Sequence, residues 1–277
     1  MKQLLAVSGG VDSMAMLHFA CQNFPADELI VAHFDHGIRE NSTDDANFVR
    51  QKAAEYGTQF CLGRALLGPN ASEAAARAAR YGFLRNLAAE CNAQIWTAHH
   101  LDDLVESIAI NFLRGTGWRG LVALDSVDIY RPFLTEEPWD RAKIWHYAAE
   151  HNLTYREDPS NASDEYLRNR LRHQMNNEVD KLALYNLWKQ QKLIKNEIDH
   201  IIGDIVPERS WSREWFRDLS PQLAMELLRA GTLRAGISAT RPQLEDFRQA
   251  ILNYTPGKYF NLPGDKLVRL DKNTFTF

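Results

Sequence analysis

Through the first half of the chain, short apolar runs alternate with longer segments of helical spacing. Residues 4–8, 29–34, 59–62 and 94–98 are brief, apolar and partly β-branched or aromatic, as strands buried on both faces of a parallel sheet must be. Between them, residues 12–23, 43–56, 72–90 and 102–113 carry apolar side chains at helical intervals. This repetition predicts an α/β fold, a parallel sheet wound by helices, with ligands gathered at the carboxyl ends of the strands. Residues 127–130 are expected to add a strand and 140–150 a helix. After an irregular stretch at 156–161, an amphipathic helix is expected from about residue 178, with Leu182, Leu187, Ile194 and Ile198 among its apolar positions. A smaller, mainly helical unit follows, with helices at 221–230 and 241–253 and strands at 258–262 and 266–275, Pro263-Gly264 forming the turn. The division expected is 1–177, a linker helix 178–205, and 206–277.

Composition narrows the class. The chain is 277 residues long, 45% hydrophobic and 25% charged, which suits a folded soluble protein of more than one domain. No apolar run is long enough to span a bilayer and no signal-peptide pattern opens the chain, so no membrane association and a cytoplasmic location are expected. Cys21, Cys61 and Cys91 are too few and too far apart for a disulfide framework or a CxxC site. Net charge is −4, but it is unevenly spread. Residues 1–173 hold 17 basic and 23 acidic residues, and 14 of those 17 are arginine, the side chain suited to forked recognition of phosphate. A nucleic-acid site would therefore be a local arginine patch on an acidic body.

Polar clusters fall where the strands end. After the first, Ser8-Gly9-Gly10-Val11-Asp12-Ser13 is a glycine turn leading into a helix, whose amide N–H groups and dipole favour phosphate. It lacks the lysine of a Walker A loop. Ordinary helix initiation with Asp12 as N-cap is the competing reading. After the second strand come His33, Asp35, His36 and Arg39; His33 reads first as a satisfied core histidine. At the fourth, Asp102, Asp103 and Glu106 sit at a helix start, stabilised by the dipole in any case or, beside a polyphosphate, holding Mg2+. Arg77, Arg80 and Tyr81 form a stripe at i, i+3 and i+4. Together with Arg168, Arg170 and Arg172 they form either a solvated face or a grip on a phosphate backbone, with the ring stacked on a base.

These stretches resemble a known family. Ser8–Ser13 is similar to the loop of the PP-loop ATP pyrophosphatases, which split ATP between its α and β phosphates. HFDHGIR, SEAAARAARYGFL, TAHHLDDLVES, LRGTGWRGL, RPFL, and REDPSN followed by RNRLRH resemble one branch of that group, the tRNA(Ile)-lysidine synthetases, in the family's order over residues 4–173. GKYFNLPGDKLVRL resembles the family's first C-terminal domain, which implies a short form lacking the last one.

The resemblance implies ATP and Mg2+ as cofactors and a ligase. It would adenylate C2 of the wobble cytidine in a CAU anticodon of tRNA(Ile), then let the ε-amine of free L-lysine displace AMP, so that decoding changes from AUG to AUA. By the same resemblance Ser8, Gly9, Gly10, Asp12 and Ser13 hold phosphates, with His33 and His99 in the nucleotide set. Asp102, Asp103 and Glu106 hold the metal. Asp12, Asp35 and Arg114 are catalytic, Asp35 toward the incoming amine or the metal and Arg114 toward the adenylated base. Arg39, Arg77, Arg80, Tyr81, Arg168, Arg170 and Arg172 contact tRNA. The spacing after RPFL departs from the family by the inserted Thr-Glu-Glu-Pro. A homodimer is left open. The alternatives are another PP-loop tRNA-modifying enzyme with a different nucleophile, against which the absence of CxxC speaks, and a metal-dependent phosphoesterase built on the His and Asp residues.

Overall fold

A computed structural model describes residues 1–37, 42–65, 68, 72–156, 179–207 and 210–277, so the expectations for Arg39, Arg168, Arg170 and Arg172 lie outside the described residues. Two compact units divide at residues 191 and 192. In the first, β1 (Lys2–Ala6), β2 (Leu29–Asp35), β3 (Gln59–Arg64), β4 (Ala93–Trp96) and β5 (Ile129–Tyr130) form a parallel sheet in the order β3-β2-β1-β4-β5. Successive side chains of a strand face opposite ways, so each apolar run feeds two cores. Leu4, Ile30, Ala32, Ile95 and Ile129 pack with Tyr81 and Leu84 of α3 (Glu73–Cys91). On the other face Leu5, Val7, Leu29, Val31 and Trp96 meet α1 (Val11–Asn23), α2 (Ser42–Glu55) and α5 (Arg141–Glu150) through Met14, Leu17, Val49, Ala53 and Ile144. Full burial of each large aliphatic side chain contributes about 1.5–3 kcal/mol, which is why these runs tolerate so few polar positions.

The strand order places the site. From β1 the chain winds outward through β2 and β3, then crosses back to β4 and β5 on the other side. The carboxyl ends of β1 and β4 therefore border a crevice that no crossover covers, the position where doubly wound sheets bind ligands. The loop 8–13 and the start of α4 (Leu101–Leu113) open at that point. At Gly63 on β3, a Cβ would come within 2.7 Å of both the Phe34 and Phe83 rings, so α3 packs this closely only over glycine.

In the second unit the helix Arg213–Arg217 and the helices Pro221–Arg234 and Arg241–Asn253 pack on a four-stranded antiparallel sheet. The single strand expected at 266–275 is two, Lys266–Leu270 and Thr274–Thr276, which pair with each other, Leu270 opposite Phe275. The physical reason is parity: Val268, Leu270 and Phe275 all enter one core, and an unbroken strand would turn Phe275 to the other face. The helix Lys181–Ile205 supplies Tyr185 and Trp188 to the core of the first unit, and Ile198 and Ile202 to that of the second.

Candidate active site

The loop after β1 is organised around one hydroxyl. Ser13 Oγ accepts from the N–H groups of Ser8 (3.2 Å) and Gly9 (3.1 Å) and donates to the Gly10 carbonyl (2.9 Å). The donors of the loop are thereby gathered on one point, with the Ser8 hydroxyl 3.2 Å from that of Ser13. Gly9 has φ +99°, and a Cβ there would meet Val49 and Phe48 at 3.4–3.5 Å. Its carbonyl accepts the Arg156 N–H at 2.9 Å, which clamps the turn from outside. The N-cap of α1 is Gly10, without a side-chain hydrogen bond, so Asp12 is the second helical residue rather than the cap expected of it. It lies in the first turn of α1, whose leading backbone N–H groups have no intrahelical acceptor and so favour an anion.

At the end of β2, Asp35 is buried, with Oδ1 accepting the Gly37 N–H (2.9 Å) and Oδ2 3.6 Å from Arg64 Nε. His33 donates from Nδ1 to the Val7 carbonyl at 2.8 Å. It is buried, and this bond ties β2 to the end of β1 beneath the glycine loop. Burial is the main reason its pKa is lowered, which suits a neutral donor.

At the end of β4, the fully buried His100 joins α1 to α4. Its Nε2 lies 3.8 Å from Asp12 Oδ1 and 3.5 Å from Asp103 Oδ2, and its Nδ1 lies 3.5 Å from Asp102 Oδ2. Burial pulls the imidazole pKa down, but Asp103, Asp102 and Asp12 together raise it above the ordinary value. Asp102 is turned into the protein, Oδ1 accepting Lys181 Nζ (2.6 Å) and Oδ2 the Arg141 N–H (2.8 Å). Both oxygens accept from protein donors, so Asp102, expected among the metal ligands, ties α4 to residues 141 and 181 in this structure. Glu106 is likewise buried, 3.9 Å from the Arg141 guanidinium. Asp12 and Asp103, the two carboxylates that flank His100 Nε2, remain beside the phosphate loop. Hard oxygen donors there fit Mg2+, which takes one or two carboxylates and completes its shell with phosphate and water. Among the described residues no group of three or more His, Cys, Asp or Glu forms a preformed metal cage.

Asp102 also makes the first unit acid-sensitive. Burial works to raise its pKa, yet His100, Lys181 and the Arg141 N–H hold it well below its ordinary 3.8. A depressed carboxylate stabilises the fold above its unfolded pKa and loses that contribution as pH falls below it. The stability advantage of the unsubstituted protein over Asp102→Asn is therefore expected to shrink steadily below about pH 4. Urea midpoints at successive pH values measure it, and a constant gap would remove the ion pair from the acid response.

On the α3 side, Tyr81 is buried and covered by guanidinium groups, with Arg77, Arg80 and Arg85 at 4.9, 5.3 and 5.7 Å from its ring centroid. In this structure the Tyr81 ring, expected to stack on a base, seats these arginines. His99, hydrogen-bonded to the Thr97 hydroxyl at 2.8 Å, is held neutral, its pKa lowered to about 3 by burial and by Arg131, Arg77 and Arg80 against the pull of Asp103. Arg114 is exposed at the C-cap of α4, a helix length of about 20 Å from the carboxylates at its start, and is not brought to them. Arg131, Arg141 and Lys181 are the site residues that the sequence left without a role, and His100 had one only in the phosphoesterase alternative. Of these, His100 and Arg131 lay in quoted motifs.

The PP-loop domain family matches residues 1–179. A Solibacter usitatus tRNA(Ile)-lysidine synthase is 39% identical over 174 residues, 61% of this chain and 39% of that protein. A Thermotoga maritima tRNA(Ile)-lysidine synthase is 32% identical over 221 residues, 73% and 52% of the two. A bifunctional TilS/HprT protein of Listeria monocytogenes is 38% identical over 189 residues, 63% and 29%. The match thus spans between 29 and 52% of the length of these relatives. Among solved structures, the U34-tRNA thiolase NcsA of Methanococcus maripaludis, with its [4Fe-4S] cluster, has the same fold. Its TM-score is 0.56 and its identity 19%, over 69% of this chain and 72% of that one. In the present chain Cys21, Cys61 and Cys91 are free and lie on α1, β3 and α3, without forming a three-thiol group.

Proposed function

The chain belongs to the PP-loop domain family, and from that premise we propose that it joins lysine to C2 of the wobble cytidine of the CAU anticodon of tRNA(Ile) with ATP as the activating substrate. The observation that carries this reading is the convergence on one rim of the Ser13-centred loop, the buried Asp35 carboxylate and the Asp12–Asp103 pair. The names of the relatives support the same reaction. The C2 oxygen of the cytidine attacks the α-phosphorus of ATP, and the bond to pyrophosphate breaks. The lysine ε-amine then attacks C2, AMP leaves with the bonding electrons, and the amine proton passes to Asp35.

The open N-terminus of α1 orients the phosphates. Magnesium held by Asp12 and Asp103 would offset the charge developing on pyrophosphate. Asp35, placed at the next strand end, is suited to receive a proton because its backbone acceptor role fixes its orientation. The exposed Arg77 and half-buried Arg80 offer cations to the RNA backbone. A phosphoesterase site has less support, since His33 is bound to a carbonyl and His100 is enclosed by carboxylates.

Incubation with Mg·ATP, labelled lysine and either a tRNA(Ile) transcript bearing CAU or the elongator methionine tRNA is expected to label the first alone, with AMP and pyrophosphate released. Pyrophosphate release that needs RNA but leaves no lysine label would replace lysine with another nucleophile. No RNA-dependent turnover of ATP would overturn the reading.

A further inference from the structure

Arg131 follows β5 at the carboxyl edge of the sheet and is 8% exposed. Its Nη1 donates to the Ile129 carbonyl at 3.1 Å, whereas its Nε, buried, has no hydrogen-bond partner. Among the described residues the Tyr81 hydroxyl, in a residue 7% exposed, is also buried without a partner, and Tyr81 shares a core cluster with Ile129, two residues before Arg131. Buried donors are almost always paired, so two unpaired donors in this region mark a place for an absent acceptor. Among the described residues no acidic side chain forms a salt bridge with Arg131; Asp125 and Asp128 act on it only at longer range. Arg77 and Arg80, above the Tyr81 ring, add positive charge around the same point, and His99 beside them is neutral.

We propose that the Arg131 guanidinium and the Tyr81 hydroxyl form the subsite for the carboxylate of the amino-acid co-substrate. This deepens, and rests on, the ligation reading above. A carboxylate suits the place better than a phosphate for two reasons. The planar guanidinium presents parallel N–H donors to a planar pair of oxygens. The ATP phosphates already have the N-terminus of α1, and an RNA phosphate would meet the more exposed Arg77 before a buried guanidinium. β5 is two strand spacings from β1, about 10 Å, so the subsite lies on the same rim as the loop after β1.

The test compares lysine with cadaverine, the same amine without the carboxylate, in the tRNA-labelling reaction. For the unsubstituted protein kcat/KM is expected to favour lysine by about 10- to 100-fold, the range for a hydrogen bond to a charged group. Arg131→Gln is expected to bring that preference close to unity by raising KM for lysine, with KM for ATP and tRNA little moved. Tyr81→Phe, which removes one oxygen from the core, is expected to narrow it in the same direction and carries the test alone if Arg131→Gln fails to fold. An undiminished lysine preference in the variants would overturn the proposal, as would a rise in KM for tRNA or ATP in place of lysine, which would make the subsite one for phosphate. If the unsubstituted protein transfers no lysine at all, the ligation reading fails first, and that is seen before any variant is made.

Discussion

Asp35→Asn is expected to fold as the unsubstituted chain does and to lose lysine transfer by about 10²- to 10⁴-fold, the range over which a positioned general base acts. The asparagine keeps an oxygen at Oδ1 to accept the Gly37 N–H, so the turn after β2 survives. What it removes is the negative charge and the capacity to take a proton. The ion pair with Arg64 is also lost, but at 3.6 Å, with Arg64 more than half exposed, its contribution to stability is small. Asp35→Ala separates the two roles: it deletes the acceptor as well, at a cost of about 1 kcal/mol for the lost hydrogen bond. Rates of label transfer read beside thermal midpoints decide between them. Full turnover in Asp35→Asn would leave Asp35 only as a brace for its loop.

Arg213→Met is expected to destabilise the second unit by at least about 3 kcal/mol. Arg213 is 1% exposed and makes no salt bridge among the described residues. Its guanidinium instead spans three backbone carbonyls, with Nε and Nη2 donating to Ile251 (2.9 and 2.5 Å), Nη2 to Tyr254 (2.9 Å) and Nη1 to Asp271 (2.9 Å). Ile251 and Tyr254 belong to the C-terminal end of the helix Arg241–Asn253, whose last carbonyls lack helical partners and whose dipole favours a cation. Asp271 is in the turn between the last two strands, so one side chain fastens a helix end to a hairpin. Methionine fills similar space and donates nothing, leaving each buried carbonyl short of a partner at about 1–3 kcal/mol. For a unit of this size the loss corresponds to a fall of about 12 °C or more in Tm, followed through near-ultraviolet circular dichroism of Trp211 and Trp215. A fall of only about 2 °C would show that water replaces the guanidinium at those carbonyls.

The doubly wound sheet was legible because its cause is local. Leu4-Leu5, Ile30-Val31 and Ile95-Trp96 are adjacent apolar pairs, and adjacent residues of a strand face opposite cores. The loop at Ser8–Ser13 was legible for a like reason, since its glycines and hydroxyls act within six consecutive residues. Helical spacing shows that Arg77, Arg80 and Tyr81 share a face but not whether that face meets solvent or the sheet, so the burial of Tyr81 was not legible. Nor was the Asp102–Lys181 pair, because its partners are 79 residues apart and no pattern links them.

By itself the sequence determined the parallel α/β architecture, the glycine turn after β1 and the strand ends at which polar residues collect, because each follows from periodicity or from neighbours along the chain. Only the tertiary structure decided which carboxylates face the crevice and which are consumed by Lys181 and Arg141. It alone enclosed His100 among three acids, left Arg131 and Tyr81 with unused donors, and set Arg213 across three carbonyls. The charge and hydrogen-bonding capacity of a buried side chain depend on what the fold brings within a few ångströms of it, and those neighbours come from distant parts of the chain.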